Sequence, residues 1–144
     1  MTTRGKIWLA LGIGCGGLIV VSIAVAVLFF VLWFLPADEI TARVTAAELV
    51  ADYLANEVAA DGRYKNHLAE ITGAVGRVDI DPTGAQYVTL ESGRGSWTVQ
   101  CFAARDESYE SFRTLRPAQR VTVRGRVEGK SGNVLVRDCA VISR

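Results

Sequence analysis

Thiols, a cluster of arginines and one imidazole are the side chains of this sequence whose types could do chemistry. Cys101 and Cys139 lie far from a long apolar run that holds the third cysteine, Cys15. Two thiols in an oxidising compartment can close a disulfide. Arg124, Arg126, Lys130 and Arg137 surround a Gly-rich turn in "VTVRGRVEGKSGNVLVRDCAV", residues 121–141, a pattern that could grip nucleic acid. His67 is the only histidine, so no Cys/His set at zinc spacing exists and no nucleophile is singled out by a neighbouring base. "EGKSG", residues 128–132, mimics the end of a phosphate loop. That loop needs a glycine where Arg124 stands, and here a strand follows instead of a helix. Asp79 and Asp81 are close in sequence at a turn rich in Asp and Pro, residues 81–84, where such acids are ordinary turn chemistry. Neither catalysis nor a metal nor a cofactor is expected.

The elements that must hold these residues begin with a membrane segment. Residues 7–35 form a run of 29 without a charge. As a helix the run reaches ~43 Å, against a hydrocarbon core of ~30 Å, so a tilted transmembrane helix is expected. A signal peptide has a shorter apolar region and a small-residue cleavage site. Here "VLWFLPADE" puts Trp33, Phe34 and Leu35 at that place, which reads as an uncleaved signal anchor. Cys15 follows Gly12, Ile13 and Gly14 and is followed by more apolar residues, a poor match to a lipid-attachment signal. Arg4 and Lys6 precede the run and Asp38 and Glu39 follow it. The positive-inside bias then makes residues 1–6 a cytoplasmic tail and places residues 36–144 outside the cytoplasm, at the inner or cytoplasmic membrane. The bilayer is the first expected partner. Gly12 and Gly16 have the spacing that lets two membrane helices approach, so a homodimer or a protein partner through this helix is a second.

Residues 36–62 carry six acids against Arg43, a net −5, whereas residues 63–144 carry thirteen bases against nine acids, a net +4. Opposite signs suit docking of the first segment on the second. Thr45 and Glu48 have capping-box spacing, and Ala47, Val50, Leu54 and Val58 repeat at helical spacing, with Leu49 and Tyr53 widening the stripe. A linker and one amphipathic acidic helix are therefore expected over residues 36–62, ending at Asp61-Gly62.

From residue 63 the period changes to alternation. Strands are expected over 68–79, 85–90, 97–102, 121–128 and 134–142, with Gly73 and Gly76 permitting a bend or bulge in the first. A helix over 105–115 separates the third and fourth. A long glycine-bent strand, two more, a helix and two more strands is the order of an all-β five-stranded OB-fold barrel. With one helix before the barrel and one inside it, this is the expected fold of residues 63–144. A cystatin-like or ferredoxin-like α+β sheet is the alternative.

"AAELVADYLANEVAADGRYK", "ITGAVGRV", "WTVQCF" and "RVTVRGRVEGKSGNVLVRDCAV" together resemble the tRNA-anticodon-domain-like OB-fold family, tRNA_anti-like, over about residues 45–142. The resemblance implies a membrane-tethered bacterial protein, mostly of unassigned biochemical activity, and brings no catalytic residues. The family name records fold similarity and does not itself imply tRNA binding.

OB-folds hold single strands across their second and third strands with stacked aromatics and a basic groove. With Val88, Leu90, Val99 and Cys101 facing inward, the outward set is Tyr87, Thr89, Thr98 and Gln100, one aromatic and no base. Together with Arg124, Arg126 and Lys130 this set is the candidate ligand or partner surface. Its composition and the expected topology argue against nucleic acid. They favour an envelope binding or scaffolding module, with an oligonucleotide binder or an accessory subunit of a membrane complex as alternatives. Arg124 or Arg126 is expected near Glu70, since fourth and first strands are neighbours. Third and fifth strands are neighbours too, so a Cys101–Cys139 disulfide is expected if the last strand's register around Asp138 allows it. Two reduced, buried thiols filling core space are the alternative.

Overall fold

In the computed structural model, residues 20–31, 39–104 and 107–144 are described. The chain divides into two units, Met1–Ala37 and Asp38–Arg144. Of the first unit, residues 20–31 form helix α1, with every side chain exposed. Val20, Ile23, Val27, Phe29 and Phe30 are among them, so this helix is apolar around its circumference. Among the described residues no helix is long and apolar enough to cross a membrane. The expected tail 1–6, residues 7–19 and 32–35 of the apolar run, and the Gly12/Gly16 pair lie outside the described residues.

The second unit opens with a strand where a linker was expected. In β1 (Ile40–Thr45), Ala42 and Val44 pack on the core while Thr41 and Arg43 face out. Thr45 then caps α2 (Ala46–Ala55) with the anticipated capping box: its hydroxyl accepts from the Glu48 amide, and the Glu48 carboxylate accepts from the Thr45 amide at 2.8 Å. The single helix expected to Asp61 is two. Asn56 is extended, at φ −160° and ψ 99°, closing α2 and capping α3 (Glu57–Tyr64) through its side-chain oxygen. The break re-aims the apolar stripe. Ala46, Leu49, Val50, Tyr53, Ala60 and Tyr64 are buried, while Leu54 and Val58, expected inside, are 43% and 83% exposed. Aspartates brace the two helices: Tyr53 donates to Asp61 at 3.1 Å and Tyr64 to Asp52 at 2.6 Å.

Five strands follow: β2 (Leu68–Ile80), β3 (Gln86–Arg94), β4 (Trp97–Ala103), β5 (Arg120–Ser131) and β6 (Asn133–Ser143). Helix α4 (Glu107–Arg113) lies between β4 and β5. The strand order is β1-β2-β3-β4-β6-β5, and pairing of β2 with β5 closes the last five into a barrel. This is the expected OB-like architecture, with β1 added parallel to β2 from Ile40 opposite Leu68 to Thr45 opposite Thr72. Closure removes the edges of the five main strands, and the parallel β4–β6 pair is its seam. Inward residues Ile71, Val75, Val88, Leu90, Val99, Val123 and Val136 fill the barrel, with Leu49, Val50 and Tyr53 from α2 and Phe112 from α4 in the same core. The α+β alternative is thereby excluded.

Candidate functional site

Two β-bulges build the most distinctive surface of the barrel. On β2, Val75 pairs with Leu90 and Val78 with Val88, so Gly76 and Arg77 together face Thr89. The bulge lets Val75 and Val78 both turn toward the core while Arg77 points out. Gly76 is required there, because a Cβ would lie 2.9 Å from the Thr89 hydroxyl. That hydroxyl accepts from the Arg77 amide at 3.0 Å, replacing the ladder bond the bulge interrupts. On β6 the second bulge falls at Asp138, whose φ is +52°. Arg124 pairs with Ala140 and Arg126 with Arg137, leaving Asp138 and Cys139 opposite Gly125. Alternation skips one residue, so Val136 and Cys139 are both buried and Arg137 faces out.

Between the bulged strands, β3 and β4 pair Tyr87 with Phe102, Thr89 with Gln100 and Glu91 with Thr98. The Tyr87 and Phe102 rings are tilted at 45°, centroids 5.6 Å apart. Arg77 reaches across from β2, its guanidinium 5.9 Å from the Tyr87 ring centre and donating to the phenol oxygen at 2.9 Å. Arg137 reaches from β6 to 4.6 Å from the Phe102 ring centre. The result is a four-residue ladder, Arg77–Tyr87–Phe102–Arg137, crossing β2, β3, β4 and β6 on the barrel's outer face. These contacts draw both guanidiniums in toward the aromatic pair. Asp79 stands 3.9 Å from Arg77 and Glu128 2.9 Å from Arg137, so each guanidinium already faces an acid. Beside the ladder is a groove of about 350 Å³, lined by residues including Arg77, Thr89, Glu91, Thr98 and Asn133.

The expected outward set therefore does share one face, but its members differ in role. Thr98 lines the groove, and Gln100 is half-buried opposite Thr89. Tyr87 is 6% exposed, its ring covered by neighbours, and Thr89 is occupied by the bulge. The three hairpin bases are held elsewhere, as barrel wall. Arg124 donates to Glu70 at 2.9 Å, as expected, and Arg43 binds the same carboxylate at 2.8 Å. Arg126 donates to the Asn66 carbonyl at 2.8 Å. Lys130 pairs with Glu57 at 2.9 Å and sits 5.3 Å from the Trp97 ring centre. Arg77 and Arg137 were missed because alternation along β3 and β4 leaves out side chains that bulges bring in from flanking strands, whereas Phe102 continues the outward series Thr98, Gln100 and was passed over at the strand's end. The Gly76 bulge and the register at Asp138 were the available signals.

Glu70, gripped by Arg43 and then Arg124, has its carboxyl held below the usual carboxylate range. A depressed folded value contributes stability above the unfolded value of ~4.3, which is lost as pH falls through the folded value. Urea midpoints measured from about pH 7 to about pH 3 should fall less steeply for Glu70→Gln than for the wild type. Identical pH profiles would mean that the arginines do not act on this carboxylate.

Cys101 and Cys139 meet, but as two free, fully buried thiols rather than the expected disulfide. The Cys139 thiol is 3.6 Å from the Val136 carbonyl. Burial, then the neighbouring Cys101, pushes it well up, away from the reactive thiolate. In this form the pair fills core space. Among the described residues no group of His, Cys, Asp and Glu is placed to hold a metal ion.

A barrel of this strand order, closed by β2 and β5, defines an OB-fold domain. The chain belongs to the tRNA_anti-like family, whose model matches residues 15–140. No curated protein matches it. A crystal structure from Klebsiella pneumoniae, described as a "putative nucleic acid-binding lipoprotein", shares the fold with a TM-score of 0.54 at 15% identity, over 69% of this chain and 91% of that one. An OBody, AM3L09, bound to hen egg-white lysozyme aligns with a TM-score of 0.42 at 14% identity, over 56% of this chain and 85% of that one. A second, NL8, gives 0.41 at 16% identity, over 54% and 96%.

Proposed function

We propose that this protein is a membrane-anchored OB-fold module of the bacterial envelope, facing away from the cytoplasm, which binds or scaffolds a partner and performs no catalysis. The ladder carries this reading. Two bulges, on two different strands, each aim an arginine onto the same aromatic pair, and bulges of this kind commonly re-aim side chains at functional sites. The anchor rests on the uncharged run 7–35 and on α1, because a helix apolar on all sides belongs in lipid or a large core. Orientation rests on Arg4 and Lys6 against Asp38 and Glu39. A partner could be an assembled membrane complex, of which this chain would be an accessory subunit.

Oligonucleotide binding is the second reading, favoured by the position of the ladder on the strands where OB-folds hold single strands and by the description of the Klebsiella relative. Against it, Tyr87 offers no open ring for a base, and Glu91 lies in the groove.

The test uses the full-length protein in its own membrane. A photo-crosslinking residue at Gln100 should capture a partner, and Arg77→Ala with Arg137→Ala should abolish that capture. The same residue at Val58, exposed on α3, serves as the control. Protease added to spheroplasts should remove the domain after Pro36. No capture at Gln100, or equal capture at Val58, refutes the ligand face; protection until lysis refutes the orientation.

A further inference from the structure

We propose that the ladder takes an extended polypeptide segment of a partner protein with the pattern acid–x–apolar–x–acid. The inference rests on the reading of this face as the binding site and adds the chemistry of its ligand. Arg77 and Arg137 lie on strands three spacings apart, since the order is β2-β3-β4-β6. At ~4.8 Å per spacing this is about 14 Å. An extended chain crossing the strands advances ~3.4 Å per residue and turns alternate side chains to the same side, so positions i and i+4 are also ~14 Å apart. Acids at those positions meet the two guanidiniums, and position i+2 falls over the Tyr87–Phe102 pair, where half-buried Phe102 offers apolar surface.

Each arginine is prepared for a carboxylate. Ring contact positions each guanidinium beside the aromatic pair, and a guanidinium carries paired N–H donors that match two carboxylate oxygens. Asp79 and Glu128 are half-exposed partners that a ligand acid displaces into water at small cost. A single-stranded nucleic acid fits less well. Its phosphates recur at every nucleotide, so some would fall over the uncharged ring pair, and Tyr87 offers no open face on which a base could stack.

The probe is a labelled nonapeptide with the core Glu-Thr-Leu-Thr-Glu, titrated by fluorescence anisotropy against the full-length protein in nonionic detergent. The comparison probes have the core Gln-Thr-Leu-Thr-Gln, the core Glu-Thr-Glu-Thr-Leu, or are an oligothymidylate. Binding is expected for the first, weakened about tenfold or more by removing the acids or changing their spacing. Arg77→Lys and Arg137→Lys should each weaken it about tenfold while leaving the thermal midpoint in place, because lysine keeps the charge and loses the planar fork. Oligothymidylate binding as tight as the first peptide, and lost in the same variants, overturns the inference in favour of nucleic acid. Peptide binding indifferent to acid spacing or to both arginines overturns it as well, and so does failure of every peptide. Capture at Gln100 together with peptide failure leaves the face as a binding site with a different ligand, whereas loss of both removes the functional reading too.

Discussion

Gly125→Ala should destabilise the Asp38–Arg144 unit by about 3 kcal/mol, at the upper end of what one added methyl does in a packed interior. A Cβ at Gly125 would lie 2.6 Å from a Val136 methyl carbon, 2.7 Å from the Cys139 sulfur and 2.8 Å from the Arg137 carbonyl oxygen. The first two are core side chains held on both sides, and the third is backbone inside the β6 bulge. None is the loose end of a flexible chain, so relief requires moving β5 from β6 or closing the bulge. Closing it would restore simple alternation, turning Asp138 inward and Cys139 outward. Burying an unpaired aspartate is the costlier outcome. Urea unfolding of the isolated unit measures the loss, and Gly132→Ala is the comparison. Gly132 has φ +73° with nothing within 4 Å of the added carbon, so its cost is backbone strain alone, about 1 kcal/mol. Equal midpoints for Gly125→Ala and wild type would mean that β6 does not carry the bulge, and that Arg137 is not aimed at Phe102 by it.

The same bulges explain which parts of this molecule were legible in its sequence. The five barrel strands were, because Val121, Val123 and Val127 or Val88 and Leu90 mark one face by a period of two that local chain geometry imposes. Arg124 beside Glu70 followed from strand order alone. What failed was whatever shifts a period partway along an element. Asp138 in a left-handed conformation moves Cys139 inward without any glycine to announce it. Asn56 interrupts a helix whose apolar spacing runs on across it. β1 escaped for a different reason: Ile40, Ala42 and Val44 do alternate, but their partner β2 is parallel and reached through two helices, so no hairpin turn marks the pairing. The ladder is nonlocal in the same sense, since its four residues come from four strands and alternation along β3 and β4 reaches only Tyr87 and Phe102.

Leu49→Ala should lower the stability of the same unit by roughly 2–5 kcal/mol, and Leu54→Ala by less than about 1 kcal/mol. Sequence spacing alone gives the opposite weight to Leu54, which with Val50 and Val58 continues one helical stripe. Asn56 decides the matter. Its extended backbone ends α2 after Ala55 and starts α3 on a new axis, so Val58 no longer continues the face of α2. On α2 the buried face is then Ala46, Leu49, Val50 and Tyr53, and Leu54 lies at its outer margin, 43% exposed. Leu49 is fully buried in the cluster that includes Leu90 and Val99. Truncating it leaves a cavity under a helix that closes the barrel, and neighbours on rigid strands relax little into it. At Leu54, water fills the space left by the lost methyl groups and no cavity forms. A total stability of about 5–15 kcal/mol makes the first loss a large share of the whole. Urea midpoints at equal slope compare the two directly. A larger shift for Leu54→Ala than for Leu49→Ala would restore the continuous helix and place its other face on the barrel, against the capping role of Asn56.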